Sequence, residues 1–309
     1  MLAHVPISRL DEALRGTAPI ITAEVTSPVG PNVAALLRRA APLRGLVIAA
    51  NVPDGQAVSA HLGPLAAARL LLEVGIEPVL TLQCRDRNRL ALQSDLLAAA
   101  ALGIRNVLCL TGDRPAPDSG VPGVFDLDSV GLLHAASGLM AGRLMDGTSL
   151  RPAPRFVLGA AAHPFAADPA ERIARLHAKA DAGARFVQTQ YVFDVASFAR
   201  WMKEVRAEGL HERLAIMATV GAFRSPRGLE FVSALPGVYM PPEMGARLAG
   251  LDGPAFADES LRLCAELARD LLAVPGVRGI HFVAPYLEPR LPEAIAALAP
   301  LPEQPTPAL

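Results

Sequence analysis

Eight short apolar runs, separated by alanine- and leucine-rich stretches with helical spacing, constrain this 309-residue chain more than any other feature. They are "PIITAEVT" (19–26), "RGLVIAA" (44–50), "EPVLTLQC" (77–84), "RNVLCLTG" (105–112), "RFVLGAAA" (155–162), "ARFVQTQYV" (184–192), "RLAIMATVG" (213–221) and "VRGIHFVA" (277–284). Helical patterns fill 63–74, 89–102, 169–182 and 257–273. Runs that are apolar nearly throughout, rather than at alternate positions, belong to a sheet buried on both faces, hence a parallel one. Eight strands alternating with helices over about 250 residues or more predict a single-domain (β/α)8 TIM barrel, here 1–300. A doubly wound open sheet is the alternative, and "EVTSPVGPN" lacks its G-x-G-x-x-G spacing after the first strand. Residues 301–309 read as a flexible proline-rich tail.

The bulk numbers narrow the partners. With a net charge of −1 the chain offers no electrostatic footprint for nucleic acid or an anionic membrane. Its apolar runs are strand-length or broken by charge, so no membrane span is expected. The N-terminal "MLAHVPISRLDEALRG" does not read as a secretory leader. Cys84, Cys109 and Cys264 are odd in number and lack C-x-x-C spacing, which argues for a reducing compartment and against structural zinc. A cytoplasmic protein without a metal is the expectation.

In a barrel, side chains at the carboxyl ends of strands face the active site. The polar residues there are Glu24, Asn51 with Asp54, Thr81 with Gln83, Thr111 with Asp113, His163 and Gln190. They include no Ser-His-Asp or Cys-His pairing and no cluster of histidines and carboxylates. Glu24 interrupts an apolar run; a poorly solvated carboxyl binds its proton more tightly and suits a general acid. It also reads as an ion-paired rim residue. Asp113 follows Gly112, which permits close approach of a ligand to the backbone, yet aspartate also simply opens turns such as "GDRP". A buried glutamine at 190 needs both a donor and an acceptor, which amide-edged rings such as pterins and flavins supply, as does neighbouring backbone. His163 reads equally as a cofactor contact or a structural histidine. "QCRDRNRLALQSD" (83–95) reads as an anion patch or as a capped, ion-paired loop in which Asp86 or Asn88 caps a helix and Asp86 neutralises an arginine.

The segments "AEVTSP", "CRDRNRLALQSDLLAAAALGIRNVLCLTGD", "VFDLDSV", "KADAGARFVQTQYVFD" and "PGVYMPPE" together resemble the methylenetetrahydrofolate reductase family, in its short bacterial, acetogen-like form. The resemblance implies a barrel that binds a flavin, usually FAD, with FMN or no flavin as alternatives. It also implies hydride transfer from NADH or NADPH to flavin, then to the methylene carbon of a tetrahydrofolate-type carrier. Glu24 matches the acid that assists opening of the imidazolidine ring, Asp113 the aspartate near flavin and pterin, and Gln190 the glutamine that holds folate or the nicotinamide donor. Asn51, Thr81, Gln83, Thr111, Gly112, Asp113, Phe125, His163 and Lys179 become candidate cofactor contacts. Lys179 matches a base that reaches the pyrophosphate. Thr81 stands where many members carry histidine, Thr111 where some carry arginine, and Pro53 near a family threonine. Arg175 lies near the place of a missing asparagine, and Arg290 is a loose counterpart of a folate-binding arginine. Self-association, or pairing with a partner subunit, is expected. Two alternatives remain: a flavin-free reductase passing hydride directly from NADH, and a non-redox pterin-binding methyltransferase barrel.

Overall fold

The computed structural model describes residues 5–299 except 56–58, 117, 167 and 236; the proposed tail at 301–309 lies outside the described residues. Eight parallel strands close into a barrel in sequence order: β1 Ile20–Glu24, β2 Ala49–Val52, β3 Pro78–Gln83, β4 Asn106–Leu110, β5 Val157–Ala162, β6 Phe186–Tyr191, β7 Ala215–Gly221 and β8 Val277–Val283. Around them run α1 Arg9–Ala13, α2 Val33–Ala40, α3 Pro64–Glu73, α4 Arg89–Ala101, α5 Ser129–Met140, α6 Pro169–Asp181, α7 Val195–Ala207, α8 Leu210–Arg213, α9 Pro226–Ser233, α10 Pro242–Leu248, α11 Gly253–Leu272 and α12 Leu291–Ala296. The barrel expectation holds. The second strand, expected at 44–50, sits later in the chain, because residues 41–43 form a 3-10 turn and Gly45 takes a left-handed φ of 78°.

Alternation along each strand builds two cores. Outward residues such as Ile21, Ala23, Leu80, Leu82 and Val187 pack under the helices. Inward residues of the amino-terminal half, including Ile20, Ala49, Val79, Leu108, Val157 and Met217, form a second, separate cluster inside the barrel. Phe186 fills its centre: a Cβ on Gly159 would lie 2.2 Å from the Phe186 ring. The short helix α1 seals this end with fully buried Leu10. Glu77 holds α1 in place by accepting the backbone N–H groups of Arg9 (2.6 Å) and Leu10 (2.9 Å). The amino-terminal end is thus an apolar plug, which leaves chemistry to the opposite mouth.

Candidate active site

Two residues further along the same inward positions, the barrel turns polar. Thr22 (β1), Asn51 (β2), Gln188 (β6) and His281 (β8) form a buried network across the interior. Asn51 Nδ2 donates to Gln188 Oε1 (2.6 Å), and Gln188 Nε2 donates back to Asn51 Oδ1 (3.1 Å). Thr22 Oγ1 and Gln188 Nε2 lie 2.9 Å and 3.2 Å from His281 Nδ1. Burial pushes His281 down to about 3, so its imidazole is neutral. Asn51, a candidate cofactor contact, is therefore tied into this network. Thr22, Gln188 and His281 were not anticipated, although each interrupts an apolar run at an inward position.

One layer higher stand Glu24, the last residue of β1, and Gln190, in β6. Both are half-buried. The β6–β7 register shifts between Gln188 and Tyr191, where Thr219 Oγ1 donates to the Thr189 carbonyl (2.6 Å) and Thr189 Oγ1 accepts the Thr219 N–H (3.0 Å). Such an irregularity re-aims the side chains beside it. Gln190 Oε1 accepts the N–H of Tyr191 at 3.0 Å, which commits its carbonyl and leaves its NH2 group to serve a ligand's acceptor. Burial, and then the charge of Glu24, hold the Tyr191 phenol above its ordinary range, while its ring packs against Phe193 and Phe223.

The β3 end is an ion-paired frame. Arg85 grips Asp86 through two nitrogens, both at 2.8 Å. Arg87 spans Asp54 (2.6 Å) and Asp95 (2.8 Å), and Arg89 pairs with Asp126 (2.7 Å). Asn88 caps α4. The capped-loop reading of "QCRDRNRLALQSD" is the one the structure bears out. Gln83 Nε2 donates to the Asp54 carbonyl (2.7 Å) and to Asp86 (2.9 Å), while Thr81 is buried beneath it. Gly112 is required by its immediate neighbours. It has φ +87°, and a Cβ there would meet Arg85 Cβ and Gln83 Oε1 at 2.8 Å, so glycine makes room for the frame's own side chains. Thr111 Oγ1 accepts the N–H of Ser129 (3.0 Å) at the start of α5. Phe125 holds a left-handed φ of 45° with the Arg114 guanidinium 5.6 Å from its ring centre. Asp113 is exposed, and its charge bears on both Arg85 and His163, which places it between the ends of β3 and β5.

A second basic group lies at the end of β5. Lys179 on α6 is buried, donates to the Ala161 carbonyl (2.7 Å), and is pushed down to about 8 by burial and then by Arg175. His163 keeps a solvent-accessible edge, yet partial desolvation and then the Lys179 charge hold it below the ordinary histidine range. Arg290, by contrast, is committed to Asp258 (2.8 Å) and Glu293 (2.6 Å). Among the described residues no group of three or more His, Cys, Asp or Glu is placed to hold a metal ion. No helix among them is long and apolar enough to cross a membrane.

The family model described as methylenetetrahydrofolate reductase matches residues 9–298, almost the whole barrel. The chain belongs to that family. Among methylenetetrahydrofolate reductases, the 5,10-methylenetetrahydrofolate reductase of Salmonella typhimurium is 29% identical over 213 residues, covering 67% of this chain and 65% of that protein. Methylenetetrahydrofolate reductase 1 of Schizosaccharomyces pombe is 25% identical over 236 residues, covering 74% of this chain and 37% of that protein. The chain thus spans less than two-thirds of either relative. A Clostridium thermocellum structure described as binding two copies of 5-methyl-5,6,7,8-tetrahydrofolic acid superposes with a TM-score of 0.64. It covers 94% of this chain at 16% identity, a likeness of fold.

Proposed function

We propose that this barrel is a methylenetetrahydrofolate reductase, interconverting methylene- and methyl-tetrahydrofolate with a bound flavin and a nicotinamide donor. The observation that carries the reading is the position of Glu24, half-buried on the last residue of β1 at the carboxyl end of the barrel, two residues beyond inward-facing Thr22, as Gln190 is two beyond Gln188. The Clostridium neighbour, described as binding 5-methyl-5,6,7,8-tetrahydrofolic acid, supports a reduced folate as the ligand class.

The residues present fit a flavin nucleotide. The β5 end offers donors suited to phosphate: Lys179, Arg175 and the buried Nε of Arg172, which has no acceptor. Phe125, strained into a left-handed conformation, offers an aromatic edge, and observed strain of this kind marks functional loops. FAD is the form we favour, with NADH or NADPH as donor; the flavin, when bound, supplies the hydride carrier between donor and methylene carbon. The chain's own residues do the rest. Glu24 hands a proton to the pterin nitrogen that leaves as the imidazolidine ring opens. Closure of the ligand over Glu24 strips water from its carboxyl and strengthens its hold on that proton until transfer. Gln190 offers its NH2 group to the ring's acceptor edge, and Asp113 places a negative charge against the developing cation.

The test is an absorption spectrum of purified protein, then anaerobic titration with NADH or NADPH, on wild type and Glu24→Gln. The variant should keep flavin reduction and lose about 10²- to 10⁴-fold in methylenetetrahydrofolate reduction. Wild-type folate turnover in Glu24→Gln would remove the acid assignment. A colourless protein that still reduces the methylene carrier with NADH would establish the flavin-free route instead.

A further inference from the structure

Glu24 and Gln190 have to stand at a set separation to act on one bound ring, yet no backbone ladder joins them. β1 pairs with β2 and β8, while β6 pairs with β5 and β7. On β6 the pairing also lapses where it is most needed. The β5 register ends at Ala162↔Thr189, and the β7 register skips from Gln188 to Tyr191, so Gln190 has no Cα partner on either side.

Side chains supply the link. Gln188, two residues before Gln190, reaches across the interior and exchanges two hydrogen bonds with Asn51, at 2.6 and 3.1 Å. Asn51 is the β2 residue in register with Glu24. Gln188 Nε2 and Thr22 Oγ1 lie 3.2 and 2.9 Å from His281 Nδ1, which ties the amide pair to β8 and β1. None of the four residues is more than 4% exposed.

Stability does not explain this layer. A buried polar pair gains little over apolar groups of the same shape, because both partners give up hydrogen bonds to water. Two residues earlier in the same rows stand Ile20, Ala49 and Phe186, which fill the interior with no polar side-chain atom. Nor does the layer act through charge: burial keeps His281 neutral, and the other three side chains do not ionise. What a hydrogen-bonded interior network supplies is one fixed arrangement of the elements that carry it. We propose that Gln188 and Asn51 are positioning residues for the reduction, their reciprocal amide bond fixing Gln190 relative to Glu24 so that both meet the same pterin. The role rests on the reductase reading above, in which those two groups share one ligand.

The test separates position from stability. Gln188→Met keeps the bulk, removes the bond and leaves Asn51 buried without its partner. Adding Asn51→Leu removes both amides. The urea midpoint should fall in the single variant and recover in the double, because replacing both partners by apolar groups is nearly neutral. Turnover should not recover. With NADH or NADPH as donor, kcat for methylenetetrahydrofolate should fall about tenfold to a hundredfold in both variants, with KM within about twofold, as for a reacting group displaced by about 1 Å. A kcat that is undiminished in Gln188→Met, or that returns with the midpoint in the double variant, overturns the proposal. A loss confined to KM overturns it too, since the pair would then serve binding alone. Gln188→Asn stays polar but is one methylene too short for the reciprocal bond. It carries the same test if the double variant does not fold, and a wild-type kcat there is equally fatal. Wild-type protein that turns over no methylenetetrahydrofolate overturns the reductase reading and this role with it. An active wild type with undiminished variants overturns this role alone.

Discussion

Two groups of three cations stand at the mouth of this barrel, and they are opposites. Arg85, Arg87 and Arg89 meet four carboxylates, those of Asp86, Asp54, Asp95 and Asp126, all within 2.8 Å. Among the described residues, Arg172, Arg175 and Lys179 have one carboxylate within ion-pair distance, Glu171 at 3.8 Å from Arg175, while Asp128 acts on Lys179 only through its charge. The first group is denser in sequence and looks more like an anion site. Its charge is already spent on holding the loops after β2 and β3 and the start of α4. The second is spread over two turns of α6 and keeps its charge for something else. A cationic run becomes a site only after its counterions have been counted, and the counting needs the fold.

The largest effect should come from breaking the neutralised group at Arg87. Asp54, whose side chain is 4% exposed, accepts two guanidinium bonds from it, at 2.6 and 3.1 Å. Removing one partner of a buried pair strands the other charge, so Arg87→Ala should cost about 3–5 kcal/mol. Urea unfolding should show a lower midpoint with an unchanged slope, and phosphate affinity of the folded protein should stay at the wild-type value. A stability loss near zero would mean that Asp54 is hydrated and that the frame is not structural.

Lys179 should give the contrary sign. Its folded value of about 8 lies below the ordinary 10.5, so at neutral pH folding holds a proton on an amine that prefers to lose it. The penalty corresponds to about 3 kcal/mol, and Lys179→Met should be more stable than wild type at pH 7 by an amount of that order. Between about pH 8 and 10.5 the unfolded chain binds more protons at this residue, so wild-type stability should rise with pH there, relative to the methionine variant. Phosphate affinity should fall over the same rise. A Lys179→Met protein less stable than wild type at pH 7 would mean that the bond to the Ala161 carbonyl outweighs desolvation.

Gly112 sharpens the contrast at one backbone position. Alanine there must take φ +87° and press its Cβ to 2.8 Å from both Arg85 and Gln83, so Gly112→Ala should cost about 2 kcal/mol. If the glycine served ligand approach alone, ligand affinity would fall and the unfolding midpoint would stay put.

Much of this architecture was legible in the chain. The eight strands announced themselves because a parallel sheet covered on both faces needs unbroken apolar runs. Only the second was displaced, since "RGLVIAA" spends its first residues in a turn around Gly45 before pairing begins at Ala49. Glu24 and Gln190 stood out as polar residues at inward positions of such runs. Gln188 did not, and Asn51 stood out only as a cofactor contact, because their reciprocal bond joins residues 137 apart and exists only once β2 and β6 face each other across the barrel. Partnership, present or missing, is a property of the closed barrel rather than of any local stretch.

The smallest effect is expected two residues from the largest. Arg89 pairs with Asp126 at 2.7 Å, in the same run as Arg87, but half of its side chain is exposed. Water screens that pair, and the side-chain entropy lost in holding it offsets most of the attraction. Asp126 also accepts the Arg89 backbone N–H at 2.8 Å, a bond that survives truncation of the side chain. Arg89→Ala should therefore leave the urea midpoint within experimental scatter at physiological salt, with any residual difference vanishing as salt is raised. A loss comparable to that of Arg87→Ala would mean that the run acts as one cooperative network. A loss of phosphate affinity would mean that the neutralised group reaches the ligand after all, and the division between the two cation clusters would fall.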